Sequence, residues 1–202
     1  MRRRRRSRAF PILAFVFVAI GLAWFFEQRA TTTVIFVRNA DVDLPIAKGD
    51  DPALNARGRK RAELLADFLE KVDVVDGVDA IYASKARSTQ ETAAPLARRL
   101  GLKVQVEDPR DVEGFMNDVK RRHKGQIVLI VAPGNAISPL VEELHGSKNI
   151  PEFGPDDYDN VYIVSIPWFG KVKTLGVRYG LGSGLSAERQ ELTKTGTGEE
   201  RD

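Results

Sequence analysis

"TTTVIFVRNADVD", residues 31–43, is the stretch on which the fold turns. Val34, Ile35, Phe36 and Val37 make an unbroken apolar run, the pattern of a strand buried on both faces of a parallel sheet. The run ends abruptly in Arg38, Asn39, Ala40 and Asp41. Polar residues at the C-terminal tip of such a strand mark the place where α/β sheets bind ligands. Arg38 suits an anion there, whereas the carboxamide of Asn39 is neither a useful nucleophile nor a base.

Downstream, strand and helix patterns alternate. Asn55 is placed to cap a helix over 56–71 that carries Ala62, Leu65, Ala66 and Leu69 on one face. "VDAIYAS" (78–84) predicts a second strand, followed by a helix over 87–100 that stops at Gly101. "KVQVE" (103–107) predicts a short strand and 111–122 a short helix. "GQIVLIVA" (125–132) is the most apolar strand, and "GNAISPLVEELHG" (134–146) supplies the helix after it. "NVYIVSIPWFGKVKTLGVRYG" predicts two final strands joined by a turn around Phe169 and Gly170. This rhythm predicts an α/β fold, a three-layer α/β/α sandwich with a mainly parallel central sheet. From Leu181 the chain is polar and rich in Gly, Ser, Thr and Glu, the composition of a disordered tail.

The residues before the first strand have a different character. Arg2 to Arg6 and Arg8 precede "FPILAFVFVAIGLAWFF" (10–26), seventeen residues without a charge. As a helix this segment would be about 26 Å long, near the lower limit for crossing a hydrocarbon core of roughly 30 Å. A cleaved signal peptide would want a small-x-small site after the apolar run, but "FFEQRATTT" follows. A buried core helix would not explain six clustered arginines. The expected organisation is therefore a basic cytoplasmic N-terminus (1–9), a transmembrane anchor (10–26), an α/β domain (32–180) and the polar tail (181–202). The positive-inside rule puts that domain on the extracytoplasmic, periplasmic side of the membrane. Without those arginines the formal net charge falls from +3 to −3, so the pI of 9.2 does not indicate a nucleic-acid-binding face. The absence of cysteine excludes disulfides and thiolate chemistry.

Four segments carry a resemblance to a known family: "VIFVRNAD" from Val34, "LNARGRKRA" (54–62), "YASKARSTQETAAPLA" (82–97) and "IVLIVAPGNAI" (127–137). In this order and spacing they resemble the histidine phosphatase (phosphoglycerate mutase-like) superfamily over residues 32–180. The resemblance implies a phosphoglycerate mutase-like fold, but the chemistry does not carry over with it. The histidine that attacks phosphorus in the family falls on Asn39, whose amide lone pair is delocalised. The family's second histidine falls on Pro133, which offers no side-chain donor and no backbone N–H. Its second arginine falls on Ser88, with Arg87 one residue and about 100° of helix away. Of that four-residue pocket only Arg38 keeps its type.

The expected protein is a membrane-anchored pseudophosphatase with a binding or regulatory role and no cofactor or metal. Arg38, Arg87 and Asn135 are its phosphate-binding candidates, and its partner is a phosphorylated ligand or an envelope protein. Against anion binding stands the simpler expectation that Arg38 pairs with Asp41 or another carboxylate. The alternative function is an active phosphatase that uses relocated groups such as Arg87, His123 or Asp41. Otherwise His123 and His145 are expected to be solvated or helix-end residues.

Overall fold

A computed structural model of the protein describes residues 9–27, 31–43, 49–71, 77–108, 111–151, 154 and 157–180. The arginine cluster and the tail from Leu181 lie outside the described residues. The elements are α1 (Ala9–Glu27), β1 (Thr31–Arg38), α2 (Ala56–Lys71), β2 (Ala80–Ala83), α3 (Arg87–Leu100) and β3 (Val104–Val106). They continue with α4 (Val112–Arg122), β4 (Ile127–Ala132), α5 (Gly134–Glu143), β5 (Asn160–Pro167) and β6 (Lys173–Arg178).

The six strands form one sheet in the order β3-β2-β4-β1-β5-β6. β3, β2, β4 and β1 pair in parallel, whereas β1–β5 and β5–β6 are antiparallel. The sheet is mixed but mainly parallel, as expected, with β5 the one strand of the six that runs the other way. The cause is the connection after α5, which returns to the C-terminal end of β1 before β5 begins. Val37 pairs with Val161 and Thr31 with Pro167, so β5 runs back down beside β1.

Alternation along the central strands explains why their sequences read as continuous apolar runs. Ile35, Val37, Leu129 and Val131 point to one face, where Leu65 and Leu69 of α2 and Ala93 and Leu96 of α3 cover them. Val34, Phe36, Val128 and Ile130 point to the other, against Met116 and Val119 of α4 and Ile137 and Leu140 of α5. Both faces are dry, so neither can alternate with polar residues. The expected helix signals are present as well. Asn55 Oδ1 accepts the Gly58 N–H at 2.8 Å, and Gly101 ends α3 with φ of 66°.

Every described side chain of α1, residues 11–22, is exposed. No helix is long and apolar enough to cross a membrane among the described residues, and the expected span over 10–26 extends beyond those side chains at both ends.

One close approach locks α2 to the segment after β1. A Cβ on Gly58 would lie 2.1 Å from the Asp41 carbonyl oxygen, and that oxygen already accepts the Asn55 N–H at 3.1 Å. Gly58→Ala is therefore expected to destabilise the domain by about 1–3 kcal/mol in urea unfolding, although alanine in a helix interior normally gains about 1 kcal/mol. The fragment Thr31–Gly180 is expected to fold alone, because all three apolar clusters lie between Val34 and Tyr179. A fragment without cooperative unfolding would show that α1 belongs to the core.

Candidate functional site

The tips of β1 and β4 lie side by side at the centre of the sheet. Arg38 pairs with Ala132, and the Asn39 N–H donates to the Ala132 carbonyl at 3.1 Å. That register sets Asn39 next to Pro133, the N-cap of α5. Ser88 joins them through Thr92 of α3. The Thr92 hydroxyl donates to the Ser88 carbonyl at 2.7 Å and accepts the Ala40 N–H at 2.9 Å. The three positions where the family pattern expects catalytic groups thus converge, and here they carry an amide, a proline and a buried serine. The Asn39 side chain turns onto the Ala40 carbonyl at 3.0 Å.

Arg38 is half-buried and engaged. Its Nη1 donates to the carbonyls of Gly154 at 2.7 Å and Asp157 at 3.1 Å, and its guanidinium carbon lies 4.2 Å from the centre of the Tyr158 ring. Stacking on an aromatic face and donating to carbonyls suits a delocalised cation held away from bulk water. The segment that supplies these partners is itself tied, since Asp157 Oδ2 accepts the Gly154 N–H at 2.9 Å.

Asp41 is not the partner expected for Arg38. Its carboxylate is almost fully buried, with Oδ1 on Arg57 Nε and Oδ2 on Arg61 Nε, each at 2.5 Å. Arg57 and Arg61 are one turn apart on α2 and grip it from the same face. The Arg61 guanidinium also lies 5.9 Å from the Tyr158 ring, on the far side of the same network.

The relocated groups are likewise occupied. Arg87 bonds Glu91 Oε1 at 2.7 Å on the exposed side of α3, while its backbone N–H donates to Asp51. Ser88 and Thr92 hold the buried side, so the 100° offset between Arg87 and Ser88 separates two helix faces. Glu91 also accepts the Leu54 N–H at 2.8 Å, and that bond, with the Arg87 guanidinium, holds its carboxyl below the usual range against the opposing effect of burial. His123 caps the end of α4 and sits between the Tyr82 hydroxyl at 2.9 Å and Gln126 Oε1 at 2.8 Å. His145 follows α5 at a positive φ, an exposed helix-end residue as expected. Asn135 is exposed in the first turn of α5, whose N-terminus has no side-chain cap. Two described cavities, of about 580 and 540 Å³, flank the start of α2, and neither is lined by Arg38, Asn39, Ser88 or Pro133. Among the described residues no cluster of His, Cys, Asp and Glu could hold a metal ion.

Residues 34–109 match the family model of the Histidine phosphatase superfamily (branch 1). Over that stretch, a little over a third of the chain, the sequence is similar to that family. The chain's fold is similar to that of mycobacterial hydrolase 2, at TM-score 0.56 and 15% identity over 81% of this chain and 98% of that one. A mycobacterial glucosyl-3-phosphoglycerate phosphatase gives TM-score 0.56 and 16% identity over 74% and 98%. The protein histidine phosphatase SixA, complexed with tungstate, gives 0.58 and 18% over 72% and 96%. At such identities the likeness establishes the fold alone. No curated protein matches the sequence.

Sequence reasoning located the convergent positions but missed the Asp41 clamp and the cover over Arg38. The i, i+4 spacing of Arg57 and Arg61 was a usable signal for the first. Nothing local to Arg38 points to Tyr158. Asp41→Ala should cost about 3–5 kcal/mol of stability, because it leaves the largely buried Arg61 guanidinium without its carboxylate. Arg61→Ala should cost more than Arg57→Ala, since Arg61 is 16% exposed and Arg57 63%. Denaturant titration of the three variants checks the order, and equal losses would deny the clamp.

Proposed function

We propose that this chain is a membrane-anchored, non-catalytic histidine phosphatase-like domain that serves as a binding or regulatory module on the extracytoplasmic side. One observation carries the non-catalytic part: the β1–β4 register brings Asn39 and Pro133 together where the family pattern has its two histidines. Neither residue can accept a phosphoryl group. In a serine protease, loss of the covalent nucleophile alone lowers kcat about 10⁶-fold, and the loss of further charge-stabilising donors adds to that. The solved structures of similar fold include proteins named as phosphatases, so the departure concerns the residues and not the scaffold. An active phosphatase using relocated groups finds no support, because Arg87, His123 and Asp41 are each committed to structural partners.

The cover over Arg38 also bears on the partner. A guanidinium already stacked on Tyr158 and bonded to two carbonyls favours recognition of a protein surface over capture of a phosphorylated small molecule. Support for the anchor comes from α1, an uninterrupted apolar helix whose described side chains are all exposed. A helix apolar on every side is stable only inside a protein core or a bilayer.

Purified full-length protein is expected to hydrolyse aryl phosphates no faster than buffer, and Asn39→His alone should not change this. Orthophosphate should bind more weakly than about 1 mM, below roughly 4 kcal/mol of affinity. Turnover abolished by Arg38→Ala would overturn the non-catalytic reading.

Topology is tested separately. Alkaline phosphatase fused after Gly180 should be active in a bacterial host, and a reporter that works only in the cytoplasm should be silent at the same junction. The opposite pattern at equal expression would reverse the orientation.

A further inference from the structure

The β5–β6 hairpin ends in an apolar tip that neither the core nor the strand-tip site uses. Trp168 is 75% exposed and Phe169 91%, and the chain reverses at Gly170, where φ is 117°. Exposed lysines follow at Lys171 and Lys173. Two adjacent bare rings beside ammonium groups are an unusual surface for a soluble face, because aromatic area is normally buried.

The position of this tip says what covers it. Pro167 pairs with Thr31, so the tip lies beside the first residue of β1. Three residues separate Thr31 from the end of α1 at Glu27, a stretch that can span at most about 14 Å. The turn between α4 and β4 is at the same end, where the Gly125 N–H donates to Thr32 Oγ1 at 2.9 Å and Thr33 N–H to the Gln126 carbonyl at 3.0 Å. That turn adds exposed Lys124. Arg38 stands at the opposite end of β1, about 23 Å away at the usual rise per residue.

We infer that the Trp168–Phe169 tip, with Lys124, Lys171 and Lys173, is a second membrane contact that docks on an anionic phospholipid surface. The inference rests on the proposed anchor, since α1 would hold this pole of the domain next to the bilayer. Indole and phenyl rings partition to the level of the headgroups, and ammonium groups pair with lipid phosphates. Two contacts restrict rotation about the linker where one would allow it. The docked domain would present Asn39, Arg38 and the cover over them away from the lipid, open to a partner.

The sequence contains two tryptophans, so Trp24→Phe leaves Trp168 as the only indole in the full chain. This variant is placed in nanodiscs of zwitterionic phosphatidylcholine and anionic phosphatidylglycerol at roughly 3:1, with and without acyl chains brominated near the headgroup. Trp168 emission should shift to the blue and be quenched about twofold by the brominated lipid. The quenching should be lost when Lys124, Lys171 and Lys173 are changed together to Glu, or when phosphatidylglycerol is omitted. Protein released from vesicles by alkaline carbonate would defeat the anchor and this inference with it. Inserted protein with water-like, unquenched Trp168 emission would overturn this inference alone. A blue shift without quenching, accompanied by cross-linked dimers, would mean that a second copy of the chain covers the tip, and would equally overturn it.

Discussion

The buried carboxylate of Asp41, held between Arg57 and Arg61, is the constraint around which the strand-tip region is organised. It lies three residues beyond Arg38, so fixing it fixes the direction in which the chain leaves β1. The backbone on either side is bound as tightly. Thr92 takes the Ala40 N–H, Asn55 donates to the Asp41 carbonyl, and Gly58 lets α2 approach that carbonyl without a side chain between them. Ala40, Val42, Leu54 and Ala62 close a small apolar cluster beneath. A buried ion pair is a weak source of net stability because both charges lose their hydration. Its use here is directional: a carboxylate that must find two guanidiniums admits few alternative paths for the loop.

This arrangement explains how the segments that resemble the family hold their places through contacts of their own. Gly58, Thr92, Ser84 and Thr89 belong to the matching motifs, and each has a structural task that needs no ligand. Ser84 and Thr89 share a hydrogen bond at 2.9 Å at the start of α3, and the Thr89 hydroxyl also reaches the Ala86 carbonyl at 2.7 Å. Buried hydroxyls and close backbone approaches are costly to alter, since an unpaired polar group or a clash follows. The side chains of Asn39 and Pro133 make only local contacts, Asn39 with the neighbouring Ala40 carbonyl and Pro133 as the N-cap of α5. A residue at those tips can change while the sheet beneath stays intact.

The mixed sheet also divides the domain into two poles. Four parallel strands place their C-terminal tips, and hence the Arg38 region, at one end. The antiparallel β5 brings Tyr158 to that end and Trp168 to the other. The residues on either side of this one strand thus supply the cover over Arg38 and the exposed tip. Separation of the poles follows from the reversal of β5 and from nothing local to either.

The sequence by itself determined the elements and the identity of the strand tips. Apolar runs such as 34–37 and 127–132 are short, rich in Val and Ile and bounded by polar or turn residues, the pattern of strands buried on both faces. Asn55, Gly101 and Asp111 are helix boundaries whose chemistry acts over three or four residues, a range that a sequence window captures. That Asn39 and Pro133 adjoin was legible too, because parallel strands align their tips. Tertiary structure alone decided what those tips touch. Arg38 meets carbonyls 116 and 119 residues away, and Asp41 is claimed by a helix that starts fifteen residues later. It also decided the direction of β5, since a strand's sequence records its burial but not which way it runs. Contacts of that kind depend on where loops return in space, and no local pattern of residues encodes the return.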